Sequence, residues 1–328
     1  MIEIAKKVKA VMLGHAVGDA LGVPVEFCTR AELDKKPVTE MMGYGTYSVP
    51  EGSWSDDTSM SLCALESLAK GSVNYNEVMQ NFVLWERHNE FTPTGKLFDI
   101  GGACIKAIRS YITSDRSNPF VGGLLGETSN GNGSLMRIHP FSLFLYYNGW
   151  ADETHMEVIH RASALTHAHE RSKVACGIYT FVLWALLENP DKSSIIKGLE
   201  RAREFYMYSP EFKVYDRMLI KKIGRISGQS DTYADCKEVS REEIKSTGYV
   251  VDTLEAAIWC LLTTEDYRSC VLTAVNLGED TDTVAAIAGG LAGALYGYDG
   301  IPREWLDTLK RRDFIENMCE SAAAAWIK

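Results

Sequence analysis

The stretch SKVACGIYTFVLWALLEN, residues 172 to 189, decides the fold. Its apolar side chains leave no broad polar stripe, so a helix built from it is buried nearly all round, at the centre of a helical protein. Outward from it the same period recurs. NEVMQNFVLWERH (76 to 88) puts Val78, Phe82 and Trp85 on one face, and VDTLEAAIWCLLTT (251 to 264) and YRSCVLTAVNLG (267 to 278) continue the theme. Alternating β-branched runs are scarce and no strand-then-helix rhythm runs through the chain, so the expected fold is all α.

A chain of 328 residues can bury one large core and the walls of a deep cleft. No Pro/Ser linker or low-complexity tract divides it, which favours a single domain over residues 1 to 328. Residues from about 209 to 247, more charged and less periodic, read as a surface excursion or flap. A net charge of −10 argues against a broad basic face for nucleic acid, although a local pocket can still hold an anionic ligand. The N-terminus, MIEIAKKVKAVMLG, lacks the sustained apolar core and cleavage site of a signal peptide and reads as the first helix. No run reaches the roughly 18 to 20 uninterrupted apolar residues that cross a bilayer. The eight cysteines (28, 63, 104, 176, 236, 260, 270 and 319) are scattered without a C-x-x-C pair, as suits buried, reduced thiols. A cytoplasmic protein with no membrane partner is expected.

Four glycine-rich or polar loops interrupt the helices: GYGTYSVPEGSWSDDT, FTPTGKLFDIGG, VGGLLGETSNGNGS and NLGEDTDT. Two of them carry paired carboxylates at a helix start. Asp56 and Asp57 are adjacent in SDDT, and Asp280 and Asp282 alternate with threonines in GEDTDT. Capping a helix needs one such side chain. Adjacent carboxylates repel unless a cation or proton lies between them. Oxygen-only clusters suit Mg²⁺, Mn²⁺ or Ca²⁺, whereas zinc favours histidine or cysteine. If residues 55 to 57 and 280 to 283 converge, they can hold two divalent ions.

LGHAVGDALGVPVEF (13 to 27), WSDDTSM (54 to 60), FDIGG (98 to 102), GNGSLMRIHP (131 to 140), ALTHAHERS (164 to 172) and NLGEDTDTVAAIAGGLAGALYG (276 to 297) together resemble the ADP-ribosylglycohydrolase family, over residues from about 11 to 300. FDIG and GNGSLMR look most like its ADP-ribosylarginine hydrolase branch, typified by dinitrogenase reductase-activating glycohydrolase. The resemblance implies an all-α fold and a binuclear Mg²⁺ or Mn²⁺ centre held by Ser55, Asp56, Asp57, Asp280, Asp282 and Thr283. Its substrate would be an ADP-ribosylated protein or a small ADP-ribosyl compound.

The resemblance also makes Asp99 the catalytic aspartate; the alternative is a cap for the helix GGACIKAIRSYI. Glu26, after Pro24, is expected in a catalytic or metal-adjacent role, where it orders a water or covers a vacant site. Gly14, Gly18 and Gly22, four apart, let the first helix pack closely, and Asp19 among them reads as a packing residue. NGNGS (130 to 134), followed by an apparent helix, offers backbone N–H groups to a pyrophosphate through Asn132, Gly133 and Ser134. Arg137 is expected to pair with a phosphate or with the aspartate clusters. His167 resembles a cleft-lining histidine of the family, and Tyr249 can stack on adenine or ribose. One departure is plain: Gly102, Ala103 and Cys104 stand where arginine-branch relatives often carry Asn-Thr-Thr. Hydrolysis of another linkage (serine-linked or O-acetyl ADP-ribose, or a small metabolite) and a non-catalytic ADP-ribose-binding or structural role are the alternatives.

Overall fold

The computed structural model describes residues 2–114, 116–209, 212, 219–227 and 239–326. Fifteen α-helices lie among them. They are α1 (Ile2–Gly22), α2 (Arg30–Lys35), α3 (Asp56–Leu68), α4 (Tyr75–His88), α5 (Gly102–Thr113), α6 (His139–Tyr147), α7 (Met156–Ala164), α8 (Glu170–Glu188), α9 (Lys192–Met207), α10 (Leu219–Ser227), α11 (Val250–Thr263), α12 (Tyr267–Val275), α13 (Thr281–Tyr296), α14 (Arg303–Thr308) and α15 (Arg312–Trp326). No strand is found among the described residues. Two isolated bridges, Leu124 with His167 and Gly131 with Tyr249, tie loops together. The all-α expectation is met.

Residues 172 to 188 fall in α8, buried along almost its whole length. Its apolar residues belong to one continuous core that also takes Val78, Phe82 and Trp85 of α4. Within the 209 to 247 excursion, α10 packs back on α11, with Arg225 Nε 2.7 Å from Glu255 Oε1 and Lys222 paired with Asp252. Residues 210–211, 213–218 and 228–238 of that excursion lie outside the described residues.

At the centre, α1 and α13 run antiparallel in close contact. A methyl group built on Gly14 would strike Gly289, one on Gly18 would strike the Ala285 carbonyl, and one on Gly22 would strike the backbone of Asp282. The pairing runs backwards along α13, so the C-terminal end of α1 meets the N-terminal end of α13. The segment Glu3–Val25 has the length and mean hydropathy of a membrane span, yet 94% of its apolar window is buried inside the protein, as the first helix expected at the N-terminus. Its apolarity serves the core.

Candidate active site

The antiparallel pair brings Gly22–Glu26 beside Asp280–Thr283. Thr281 Oγ1 donates to the Gly22 carbonyl at 2.8 Å, and Glu26, Asp280 and Asp282 each bring a carboxylate oxygen within 4.8 Å of the others. From the other side α1 captures the start of α3. Asp19, fully buried, accepts from the backbone N–H groups of Ser55 at 2.8 Å and Thr58 at 3.0 Å, and from Thr58 Oγ1 at 2.6 Å. Its packing role is therefore to hold the SDDT segment.

Helix capping does not account for Asp56, Asp57 or Asp99, although Asp280 does stand at the N-cap of α13. Ser55 is the N-cap of α3, its Oγ accepting from Asp57 N at 3.3 Å, which leaves the carboxylates of Asp56 and Asp57 free for other work. Gly101, not Asp99, is the N-cap of α5. The two motifs converge: Thr283 Oγ1 and Ser55 Oγ donate to the same oxygen of Asp57, at 3.2 and 3.1 Å. Asp56 accepts from Gly101 N at 2.9 Å and lies beside Asp99.

Burial, followed by the neighbouring carboxylates, pushes the proton affinities of this cluster up. Glu26 rises to about 8, with Asp99 its strongest charged neighbour. Asp56, Asp57 and Asp282 are raised well above the usual carboxylate range. Asp99 and Asp280 are raised mainly by burial, against stabilising hydrogen bonds. Oε2 of Glu26 and Oδ1 of Asp57 are buried without a hydrogen-bond partner. A buried, oxygen-only cluster with orphaned carboxylate oxygens lacks positive charge, and hard divalent cations fit that donor set.

The carboxylates line a cavity of about 330 Å³ whose wall includes Glu26, Asp56, Asp99, Asp280, Asp282 and Thr283 on one side and Gly131–Gly133 and His167 on another. Asn132 Nδ2 links the two sides by donating to Asp280 Oδ2 at 2.8 Å. The helix expected directly after NGNGS is not there: residues 133–137 are turns and α6 begins at His139. No helix dipole thus supports Gly133. The Ser134 hydroxyl is turned to the interior, 2.9 Å from Ser163 and 3.5 Å from Cys176 Sγ. Tyr249 is half-buried beside the glycine loop, with the Arg171 guanidinium 5.8 Å from its ring centroid. Arg137 departs from both expectations. It is fully buried, lies over the Phe82 ring and donates to Thr166 and the Ala162 carbonyl.

Two residues at the site went unnoticed in the sequence. The Tyr47 hydroxyl lies beside both Glu26 and Asp99, and burial, followed by the interaction with Glu26, holds its proton in place. Its loop is stitched to the Pro24–Glu26 segment by Thr46, whose N donates to Pro24 O at 3.0 Å and whose Oγ1 donates to Glu26 O at 2.8 Å. Nothing in GYGTYSV marks that tyrosine. Phe27 lines the cavity mouth, 68% exposed, at φ 68°. Glu279, at φ 63°, exchanges 2.7 Å backbone bonds with the Phe27–Cys28 segment, so two side-chain-bearing residues in a costly conformation flank the acidic cluster.

An all-helical protein with this acidic cavity is a glycosidase by fold and family. The chain belongs to the ADP-ribosylglycohydrolase family, whose model it matches over residues 2–328. It is 35% identical over 322 residues to an ADP-ribosylarginine hydrolase Tri1 of Serratia proteamaculans (strain 568), covering 97% of this chain and 79% of that protein. It is 30% identical over 301 residues to an ADP-ribosyl-[dinitrogen reductase] glycohydrolase of Rhodospirillum rubrum, covering 90% of this chain and 88% of that one. A solved structure described as an ADP-ribosylglycohydrolase-related protein complex superposes with a TM-score of 0.77 at 28% identity, over 99% of both chains.

Proposed function

We propose that the protein is a cytoplasmic, divalent-metal-dependent hydrolase that removes ADP-ribose from arginine side chains of modified proteins. The observation that carries this reading is the buried carboxylate cluster, short of positive charge, in a chain similar along its length to ADP-ribosylarginine hydrolases. Ser55, Asp56, Asp57, Asp280, Asp282 and Thr283 would hold two Mg²⁺ or Mn²⁺ ions. Bound there, divalent cations supply charge that grips ribose hydroxyls and polarises a water.

The residues of the chain divide the remaining work. Hydrolysis breaks the bond between the ribose anomeric carbon and the guanidine nitrogen and joins a water oxygen to that carbon, through a transition state with positive charge on the sugar. Glu26, whose carboxylate stands with Asp280 and Asp282 in the cavity and keeps one oxygen unpartnered, orders the water and takes its proton. Asp99 faces the departing guanidine and handles the proton that it needs to leave. Gly133, the backbone N–H of Ser134, His167 and Tyr249 are assigned to the rest of the ADP-ribosyl group; Asn132 departs from the sequence expectation, because its backbone N–H donates to the Gly248 carbonyl at 3.0 Å and its side chain to Asp280, so it holds the loop in place. The free thiols of the seven described cysteines support the cytoplasmic setting.

One observation favours a second reading within the same class. Gly102 and Ala103 line the cavity beside Asp99 and carry no polar side chain, so the wall next to the leaving group offers little to fix a guanidine; a serine-linked or acetyl-ester substrate would need less. The test incubates the protein with Mg²⁺ or Mn²⁺, and then with chelator, on arginine-linked, serine-linked and O-acetyl ADP-ribose, measuring free ADP-ribose. Preference for the arginine linkage upholds the proposal, preference for an ester or serine linkage selects the second reading, and release from none of them overturns both.

A further inference from the structure

Behind the cavity wall three side chains form a chain of short hydrogen bonds. Arg137, fully buried, donates from one guanidinium nitrogen to Thr166 Oγ1 at 2.7 Å, and the same oxygen lies 2.7 Å from His167 Nδ1. A guanidinium has donors only. Thr166 Oγ1 therefore accepts from Arg137 and keeps one proton to donate. Of its neighbours, His167 Nδ1 is a strong acceptor and the Cys104 thiol a weak one. An imidazole that accepts at Nδ1 and stays neutral carries its proton on Nε2. His167 does stay neutral: burial, reinforced by Arg137, pushes its proton affinity down to about 3.

The other ring nitrogen faces the cavity. His167 is 1% exposed yet lines the cavity wall. Its Nε2 sits against the glycine loop, 3.6 Å from where a methyl on either Gly131 or Gly133 would be, and it has no partner among the described hydrogen bonds.

We infer that Arg137 and Thr166 are positioning residues that fix His167 as its Nε2–H tautomer, and that this N–H is a neutral donor to a pyrophosphate oxygen of an ADP-ribosyl ligand seated on Gly131–Gly133. The inference rests on the reading of this cavity as an ADP-ribosyl site. The arrangement has a physical reason. A cation placed in the cavity would be drawn to Asp56 and Asp280, which share its lining, whereas Arg137, bound behind the wall to Thr166 and Ala162, polarises the Nε2–H through Thr166. The ligand anion meets a strengthened donor, and the acidic cluster stays free for cations.

Nitrogen-15 NMR of the histidine rings tests this directly, with His167 assigned by the resonance lost in His167→Gln. The expected spectrum has an unprotonated Nδ1 and a protonated Nε2 between about pH 6 and 8, and the Nε2 signal moves on adding ADP-ribose but not ribose. A protonated Nδ1, or an Nε2 signal indifferent to ADP-ribose, overturns the inference. Calorimetry of ADP-ribose binding supplies the second arm: Thr166→Val should bind about ten-fold more weakly, and Thr166→Ser should return to within about two-fold of the parent. Equal affinity in a folded Thr166→Val protein overturns it; if that variant does not fold, the tautomer of the parent protein decides. None of these measurements follows hydrolysis, so a protein inactive on arginine linkages that still binds ADP-ribose through Nε2–H would refute the proposed substrate and leave this inference standing.

Discussion

Asp19 accepts a 2.8 Å hydrogen bond from the backbone N–H of Ser55, so a buried carboxylate of α1 holds the first residue of the SDDT segment. Asp19→Ala removes that acceptor and the ones used by the Thr58 amide and hydroxyl, leaving buried donors unmatched. The expected cost is about 2–4 kcal/mol of stability, with weaker divalent-cation binding although Asp19 is not among the assigned ligands. Thermal unfolding and calorimetric Mn²⁺ titration check both; unchanged metal affinity would restrict Asp19 to a packing role.

Asp56→Ala and Asp282→Ala should each abolish metal-dependent turnover while the helical circular dichroism persists. A second consequence separates this from simple damage. Each carboxylate raises the cost of ionising its neighbours, so removing one relieves repulsion in the metal-free protein. In chelator the variants should melt no lower than the parent, and they should lose most of the stabilisation that saturating metal gives it, about 2.7 kcal/mol at a hundred times Kd. Full activity in either variant would leave these aspartates with local structural duties only.

Tyr47→Phe deletes one hydroxyl and keeps the ring packed on Phe98, 5.1 Å centroid to centroid. With no hydroxyl left beside Glu26 and Asp99, turnover should fall about 10- to 100-fold at nearly unchanged melting temperature. A variant that melts early, or turns over normally, removes Tyr47 from the site.

Gly18→Ala tests the central helix pair. The added methyl meets the backbone of Ala285 and Ala286, so α1 and α13 must part, at a cost of about 3 kcal/mol or more. Because the same pair aligns Glu26 with Asp280 and Asp282, metal affinity should drop together with the unfolding midpoint. Loss of stability with intact metal affinity would separate the two.

His160 sets an acid limb. Buried against the Tyr206 hydroxyl at 2.7 Å, with Glu157 3.8 Å from Nδ1 and Lys173 nearby, its proton affinity falls from 6.5 to about 3, burial being the main cause. Between those values the unfolded chain holds a proton that the folded one refuses. This contribution to stability is intact above pH 6.5 and is lost as pH falls toward 3, by about 2 kcal/mol at pH 5. His160→Gln should shrink the difference in unfolding free energy between pH 7 and pH 5 by a similar amount; an unaltered difference would mean that other groups set the limb.

Much of this is legible in the sequence alone. The i, i+4 glycines of α1, the doubled aspartates and the all-apolar α8 each leave a local pattern, because close packing, charge repulsion and full burial restrict residue type directly. Tyr47 left none: its role comes from an irregular loop folded back on Pro24 and Glu26, and loop paths are not periodic. Arg137 misled for a related reason. Its position in GNGSLMR suggested a partner in a phosphate or the aspartate clusters, but cation–π contact with Phe82 and two oxygen acceptors hold it in the interior instead, and those partners lie far along the chain. The apparent helix after NGNGS failed because the turn through residues 133–137 delays α6 to His139.

The bond from Thr281 to Gly22 spans 259 residues, and its consequence lies in the order of synthesis. Glu26 and Asp19 leave the ribosome early, whereas Asp280 and Asp282 follow only when the chain is nearly finished. Until then α1 has no α13 to pack against, and its long apolar surface must wait exposed or be shielded. The hydrolytic centre therefore comes into being late and all at once, and a chain cut short before residue 280 would carry half of an acidic pocket with nothing to close it.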